Sequence, residues 1–245
     1  MINMFPNALG TEPQGDFTMQ LRDWITYEGV AVQQIGETGA YRYRTTHMAL
    51  DADGSPRAYG PENRGIDANA NAGYPNKGWR SVLVVDPAHT SEPYVQPAGA
   101  YAGYFVSKTS LKSAGLQTDP STYVDSEKFP YVVFPGAFYQ IAGTGRYGDL
   151  VMARRIGDLT DTAGIVADGG PTKAPLGEVS IAMAIALGGR RDPIPNPRSG
   201  AGLPTGEFEY IVFPRSAFQP AWPRTMDEID AAARQRLAGI GGWPV

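Results

Sequence analysis

The stretch "DLVMARRIGDLTDTAGIVADGGPTKAPLGEVSIAMAIALGG" (149–189) decides how the chain folds. "DLVMARRI" (149–156) and "AGIVAD" (163–168) are apolar runs with β-branched residues, so they predict two strands joined by a polar turn. "GGPTKAP" (169–175) is a loop of turn residues. "EVSIAMAIALGG" (178–189) is apolar nearly all round, which predicts a buried helix stopped by Gly188 and Gly189. Asp168 is then expected at a strand end and Glu178 at a helix start, with a short loop between them.

Outward from this stretch the same short elements recur. "PYVVFPGAF" (130–138) and "EYIVFPRSAF" (209–218) are near copies, each an aromatic and β-branched strand ended by Pro. "YRYRTTHMALD" (41–51) alternates and predicts one strand running into an acidic turn, "DADGSPRAYGP". "SVLVVD" (81–86) and "AGYFVSKTSL" (102–111) predict two more strands. "TMDEIDAAARQRLAGIGG" (225–242) predicts a helix, with Thr225 and Glu228 forming a capping box. Its acids come early and its arginines late, as the helix dipole favours. The chain thus divides into an N-terminal extension (1–40) packing on the body, a main domain (41–224) and a C-terminal helix (225–245). With 30 Gly and 21 Pro among 245 residues, the elements must be short, which favours a single mainly β domain with a few helices.

Composition excludes several chemistries. The net charge is −4 and no basic stripe exists, so nucleic acid is not expected as a partner. There is no Cys, hence no disulfide, zinc ribbon or thiol nucleophile. The two histidines, His47 and His89, accompany no Gly-x-Ser-x-Gly turn and are too few for a multi-His metal centre. Asp51, Asp53 and Gly54 resemble the start of a calcium loop, but no bidentate Glu follows at the needed spacing. "GTGRYG" (143–148) matches a dinucleotide fingerprint but precedes a strand, so it reads as a turn. No apolar run is long enough to cross a membrane, and the first residues show no signal-peptide pattern. No cofactor and no metal are expected.

Two carboxylates remain. A strand end and a helix start joined by a short loop can bring Asp168 and Glu178 to one cleft. Paired acids in a cleft suit glycosidic cleavage, in which one is protonated and the other ionised. Spacing alone favours the plainer reading, a turn cap at Asp168 and a dipole-matched acid at Glu178.

The run "GDLVMARR…AGIVADGGPTKAPLGEVSIAMAIALGG", with "ALDADGSPRAYGP" (49–61), "GIDANANAG" (65–73), "GYFVSKTSL" (103–111) and "FPYVVFP" (129–135), resembles in matching order the chitosanases of glycoside hydrolase family 75. The segments span about residues 40 to 215. The resemblance implies a six-stranded double-psi-like β-barrel with a buried helix after the catalytic loop. It also implies inverting, endo-acting hydrolysis of chitosan, with Asp168 and Glu178 as the two essential acids. An extracellular monomer is expected. Fungal members carry Cys where this chain has Ala52, and a Thr-Asn-Gly type sequence where Gly-Gly-Pro follows Asp168, so the chain looks like a bacterial or viral branch. For a cationic polymer, Asp51, Asp53 and Asp149 become candidate partners of substrate ammonium groups. Tyr59 and Trp79 become candidate stacking platforms, and Ser107 and Thr109 candidate hydrogen-bonding residues. Each also has a plain alternative as core or strand polar position. Lys108 is expected to point away or pair with an acid. Which acid gives the proton is open. The competing readings are a lytic transglycosylase or endoglucanase on a related barrel, and a polysaccharide-binding module without catalysis.

Overall fold

The computed structural model describes residues 20–67, 70–76 and 78–244. The signal-peptide reading, the first 19 residues of the N-terminal extension and positions 68 and 69 of "GIDANANAG" lie outside the described residues. The strands are β1 (Leu21–Tyr27), β2 (Val30–Ile35), β3 (Tyr41–Thr45), β4 (Ala49–Asp51), β5 (Tyr131–Pro135), β6 (Leu150–Arg155), β7 (Asp161–Gly170), β8 (Glu178–Ser180) and β9 (Phe208–Phe213). Among the described residues four α-helices accompany them: α1 (Trp79–Val82), α2 (Gly136–Tyr139), α3 (Ile181–Ala186) and α4 (Met226–Gly239). The protein is mainly β. Its strands form one mixed sheet, ordered β1-β2-β3-β9-β6-β7-β5-β8-β4, which does not close. From β1 to β7 all neighbours are antiparallel, whereas β5 pairs with β7 and β4 with β8 in parallel.

Strand alternation sorts the side chains onto two faces, both buried. Val132, Phe134, Val151, Val166, Val179, Tyr210 and Val212 face one core, with Met183 of α3 and Leu187 just beyond that helix. Tyr131, Val133, Leu150, Met152, Ile165 and Ile211 face the other, which is covered by Ile229, Ala233 and Leu237 of α4. The α4 capping box is formed as expected: the Thr225 hydroxyl accepts from Glu228 N–H, and the Glu228 carboxylate accepts from Thr225 N–H at 2.8 Å.

Several expected elements differ. The strand predicted over 41–51 is two strands broken at 46–48, with Gly177 C=O accepting from Ala49 N–H across the break. Of "SVLVVD", the first part belongs to α1, and Leu83 and Val85 make only isolated bridges to Ser107 and Pro93. "AGYFVSKTSL" is likewise held by single bridges. Prolines 87, 93 and 97 lack the N–H that a continuous ladder needs, so the β-branched runs are laced together rather than laddered. The helix predicted from residue 178 begins at Ile181, with the Ser180 hydroxyl capping Met183 N–H. Glu178 is in a strand, so the helix dipole does not act on it as expected.

A charged cluster lies inside the sheet. Glu209 of β9 stands in register between Arg44 of β3 and Arg154 of β6. It is fully buried and is bound by Arg42 at 2.7 Å, Arg44 at 3.0 Å and Arg154 at 2.7 Å.

Candidate active site

Register explains why Asp168 and Glu178 meet. Val133 of β5 pairs with Asp168 of β7, and the antiparallel pairing Val132–Val179 places Glu178 on Val133's other side. Asp168, Val133 and Glu178 therefore form one row across three strands, on the face that α4 covers farther along. The outer Cα atoms of such a row are two strand spacings apart, roughly 9.5 Å. Asp51, at the end of β4 beside Ser180, adds a third acid.

One extra residue makes this row. β7 is bulged between its pairings with Val132 and Val133, so Ala167 is inserted. Regular pairing would put Asp168 opposite Phe134, on the fully buried face. Asp168 thus lies inside a strand rather than at its end. Gly177 sets the neighbouring strand: its φ is +117° and a Cβ there would run into the backbone oxygen of His47, so only glycine allows β8 to dock.

The acids line a cleft of about 560 Å³ with Tyr59, Asp67 and Val133. Asp168 is 6% exposed. Its Oδ1 accepts from Ser110 N–H at 3.0 Å, Ser110 Oγ at 2.6 Å and Gly169 N–H at 2.7 Å. Burial raises its pKa, and these donors together with Lys108 oppose the rise. No donor reaches Glu178 among the described residues. Burial, then the charge of Asp168, pushes its carboxyl up to about 7. Burial and the charges of Asp53, Asp168 and Glu178 hold Asp51 well above the usual carboxylate range. Burial and Asp168 do the same to Asp53, against hydrogen bonds from Tyr59 and Ser107.

Of the other expected site residues, Asp53 is in the cleft, and its Oδ1 accepts from Ser107 Oγ at 3.0 Å. Ser107 is therefore an orienting group behind an acid. Tyr59 lines the cleft and donates to Asp67 Oδ2 at 3.1 Å, but it is 5% exposed and offers no open ring face. Thr109 is tied to the backbone, donating to Leu111 O at 2.6 Å and accepting from Val124 N–H at 3.0 Å. Asp149 is a correction. It is fully buried outside the cleft, and its carboxylate accepts from Ser216, Ala217 and Arg146 N–H at 2.8–2.9 Å, pinning two loops. Trp79 is 1% exposed and packs edge-on against Tyr74, so it is core. Lys108 faces the acids while donating to Arg80 O at 2.6 Å.

Ser110 and Asp67 join the site without being expected there. Both lie in quoted segments, "GYFVSKTSL" and "GIDANANAG", but a hydroxyl or an acid in a loop carries no local mark of what it faces. Carboxylate oxygens of Asp51, Asp53 and Asp168 lie within 4.8 Å of one another, a spacing that a small cation or a ligand ammonium can bridge. No protein-family model matches the chain, and no curated protein matches it.

Crowded buried acids strain the folded state. Their folded carboxyls hold protons more tightly than the unfolded chain does, so the contribution of these groups to stability is fully present below about pH 4 and is lost as pH rises through the raised values. Asp51→Asn keeps the oxygen that accepts from Asp53 N–H at 2.8 Å and removes one charge. It is expected to stabilise the protein at pH 8, with the gain shrinking towards pH 4. Urea unfolding at both pH values checks this; a loss of stability at pH 8 would refute the electrostatic account.

Proposed function

We propose that the cleft hydrolyses β-1,4 glycosidic bonds of chitosan by an inverting general acid/base mechanism. The observation that carries this is the asymmetry of two carboxylates facing one cleft: Asp168 receives three hydrogen bonds and Glu178 none. Donors favour the ionised form, and an undonated buried carboxyl favours the protonated one. Glu178 is therefore the general acid that protonates the glycosidic oxygen. Asp168, whose Oδ1 is occupied by the donors, uses Oδ2 to deprotonate the attacking water. Inversion, which needs room for that water between the two carboxyl groups, is what the resemblance of the ordered segments implies. Asp51 and Asp53 receive the ammonium group of a glucosamine unit. The resemblance of the ordered segments supplies the substrate class, and the extracellular monomer belongs to the same proposal. The two parallel pairs, β4–β8 and β5–β7, support a double-psi-like core as the finer description of the sheet. Among the described residues no helix is long and apolar enough to cross a membrane.

The direct test is incubation with chitosan, chitin, cellulose and peptidoglycan, with products read by mass. Chitosan oligosaccharides bearing an added water support the reading. Anhydro products would indicate a transglycosylase, and binding without products a non-catalytic module. The pH profile follows from the two acids. Activity needs Glu178 protonated, so it falls as pH rises through about 7. It needs Asp168 ionised, so it falls on the acid side at a pH above the ordinary aspartate range. A rate that still climbs between pH 7 and 9 contradicts the role given to Glu178.

A further inference from the structure

The cleft has two arms that meet at Asp53 and Asp168. The first is the 560 Å³ space, which adds Asp51, Asp67 and Glu178 to the shared pair and has Arg198 as its one cation among the described residues. The second, about 350 Å³, adds no acid; its own charged residues are Lys108 and Lys112. With the general acid Glu178 counted as neutral, the first arm thus sets four aspartates against one guanidinium. In the second, two lysines balance the two shared carboxylates. Lys108 is fixed there by its bond to Arg80 O at 2.6 Å and lies within electrostatic reach of Lys112. Ser110 and Tyr123 also line this arm, with their hydroxyls donating to Asp168 Oδ1 and to Gln117 O.

We propose that the two arms read different sugars: glucosamine on the acidic side of the scissile bond and uncharged N-acetylglucosamine on the lysine side, so that the substrate is partially acetylated chitosan. This rests on the hydrolase reading of the site. An ammonium group in the second arm would face two lysines with no surplus carboxylate to receive it. A carboxylate there would face Asp53 and Asp168. An acetamide carries no net charge, and its carbonyl accepts from the ammonium donors of the two lysines. Lys112 is exposed and is the specificity-determining residue that can be changed without disturbing packing.

The experiment is digestion of half-acetylated chitosan, with the sugars at both newly formed ends sequenced by mass spectrometry. One new end is expected to be almost all glucosamine and the other enriched in N-acetylglucosamine by about threefold over the polymer average. Lys112→Glu is expected to abolish that enrichment and to speed cleavage of fully deacetylated chitosan by about fivefold. Lys112→Gln, which removes the charge without reversing it, should fall between. New ends that both match the polymer average overturn the proposal while leaving the hydrolase reading intact. So does a Lys112→Glu digest identical to the parent's, provided that variant's thermal midpoint is unchanged. Absence of cleavage on every polymer removes the hydrolase reading, and the two-sugar specificity with it.

Discussion

Glu178→Gln and Asp168→Asn are each expected to slow chitosan hydrolysis by about a thousandfold, the scale of one lost general acid or base. The two losses should differ in kind. The amide introduced by Glu178→Gln cannot protonate a leaving sugar, but an aryl leaving group that departs as a stable phenolate needs no proton. On an aryl chitooligosaccharide, Glu178→Gln should recover much of its rate, while Asp168→Asn should not, because the water still lacks a base. Recovery by Asp168→Asn instead would exchange the two roles. Near-normal activity of either variant on chitosan would end the assignment. Neither change should unfold the protein. Burial raises the Glu178 carboxyl from 4.5 to about 7, which corresponds to about 3 kcal/mol of strain on its ionised form. A neutral amide does not carry that strain, so Glu178→Gln should melt no lower than the parent at pH 8.

The largest effect on stability is expected at Glu209, far from this chemistry. Its side chain is fully buried, and those of Arg42 and Arg154 are 11% and 12% exposed. Glu209→Ala would leave two buried guanidinium groups without their anion. Breaking a buried pair in this way costs about 3–5 kcal/mol, chiefly through the desolvated charge left behind. In a chain of this size that lowers the melting temperature by about 10 °C. Arg44 is 35% exposed on its side chain and still reaches water, so Arg44→Ala should cost about 1 kcal/mol or less. Calorimetry on both variants checks the contrast. Equal effects would mean that the cluster acts through packing rather than charge.

Much of the frame is legible in the sequence because it is local. β5, β6, β7 and β9 follow apolar runs with clear ends, and α4 carries its own cap. What distant partners decide is not legible. "SVLVVD" has strand composition, but its neighbours are proline-broken loops. Glu178 resembles a helix start because Val179 and Ile181 continue an apolar run, and the strand that claims it, β4, lies over a hundred positions earlier. The bulge at Ala167 has no composition signal at all. Asp168 and Glu178 stand out as a pair through their loop, and the structure replaces that loop geometry with a row across β7, β5 and β8. Asp149 is distinguished from other acids only by its three backbone donors, two of which, Ser216 and Ala217, come from far along the chain.

The parallel pairings of β4 with β8 and β5 with β7 have a kinetic consequence. β4 and β8 lie more than a hundred positions apart, so their pairing is slow to form compared with hairpins such as β1–β2 and β6–β7. Asp51, Asp168 and Glu178 become neighbours only when both pairings exist. Their repulsion is absent from an early transition state built on the antiparallel strands and is felt only near the end of folding. Removing one of these charges, as in Asp51→Asn, should then leave the folding rate almost unchanged and slow the unfolding rate. The acids that are proposed to break a sugar bond would also set the lifetime of the folded chain.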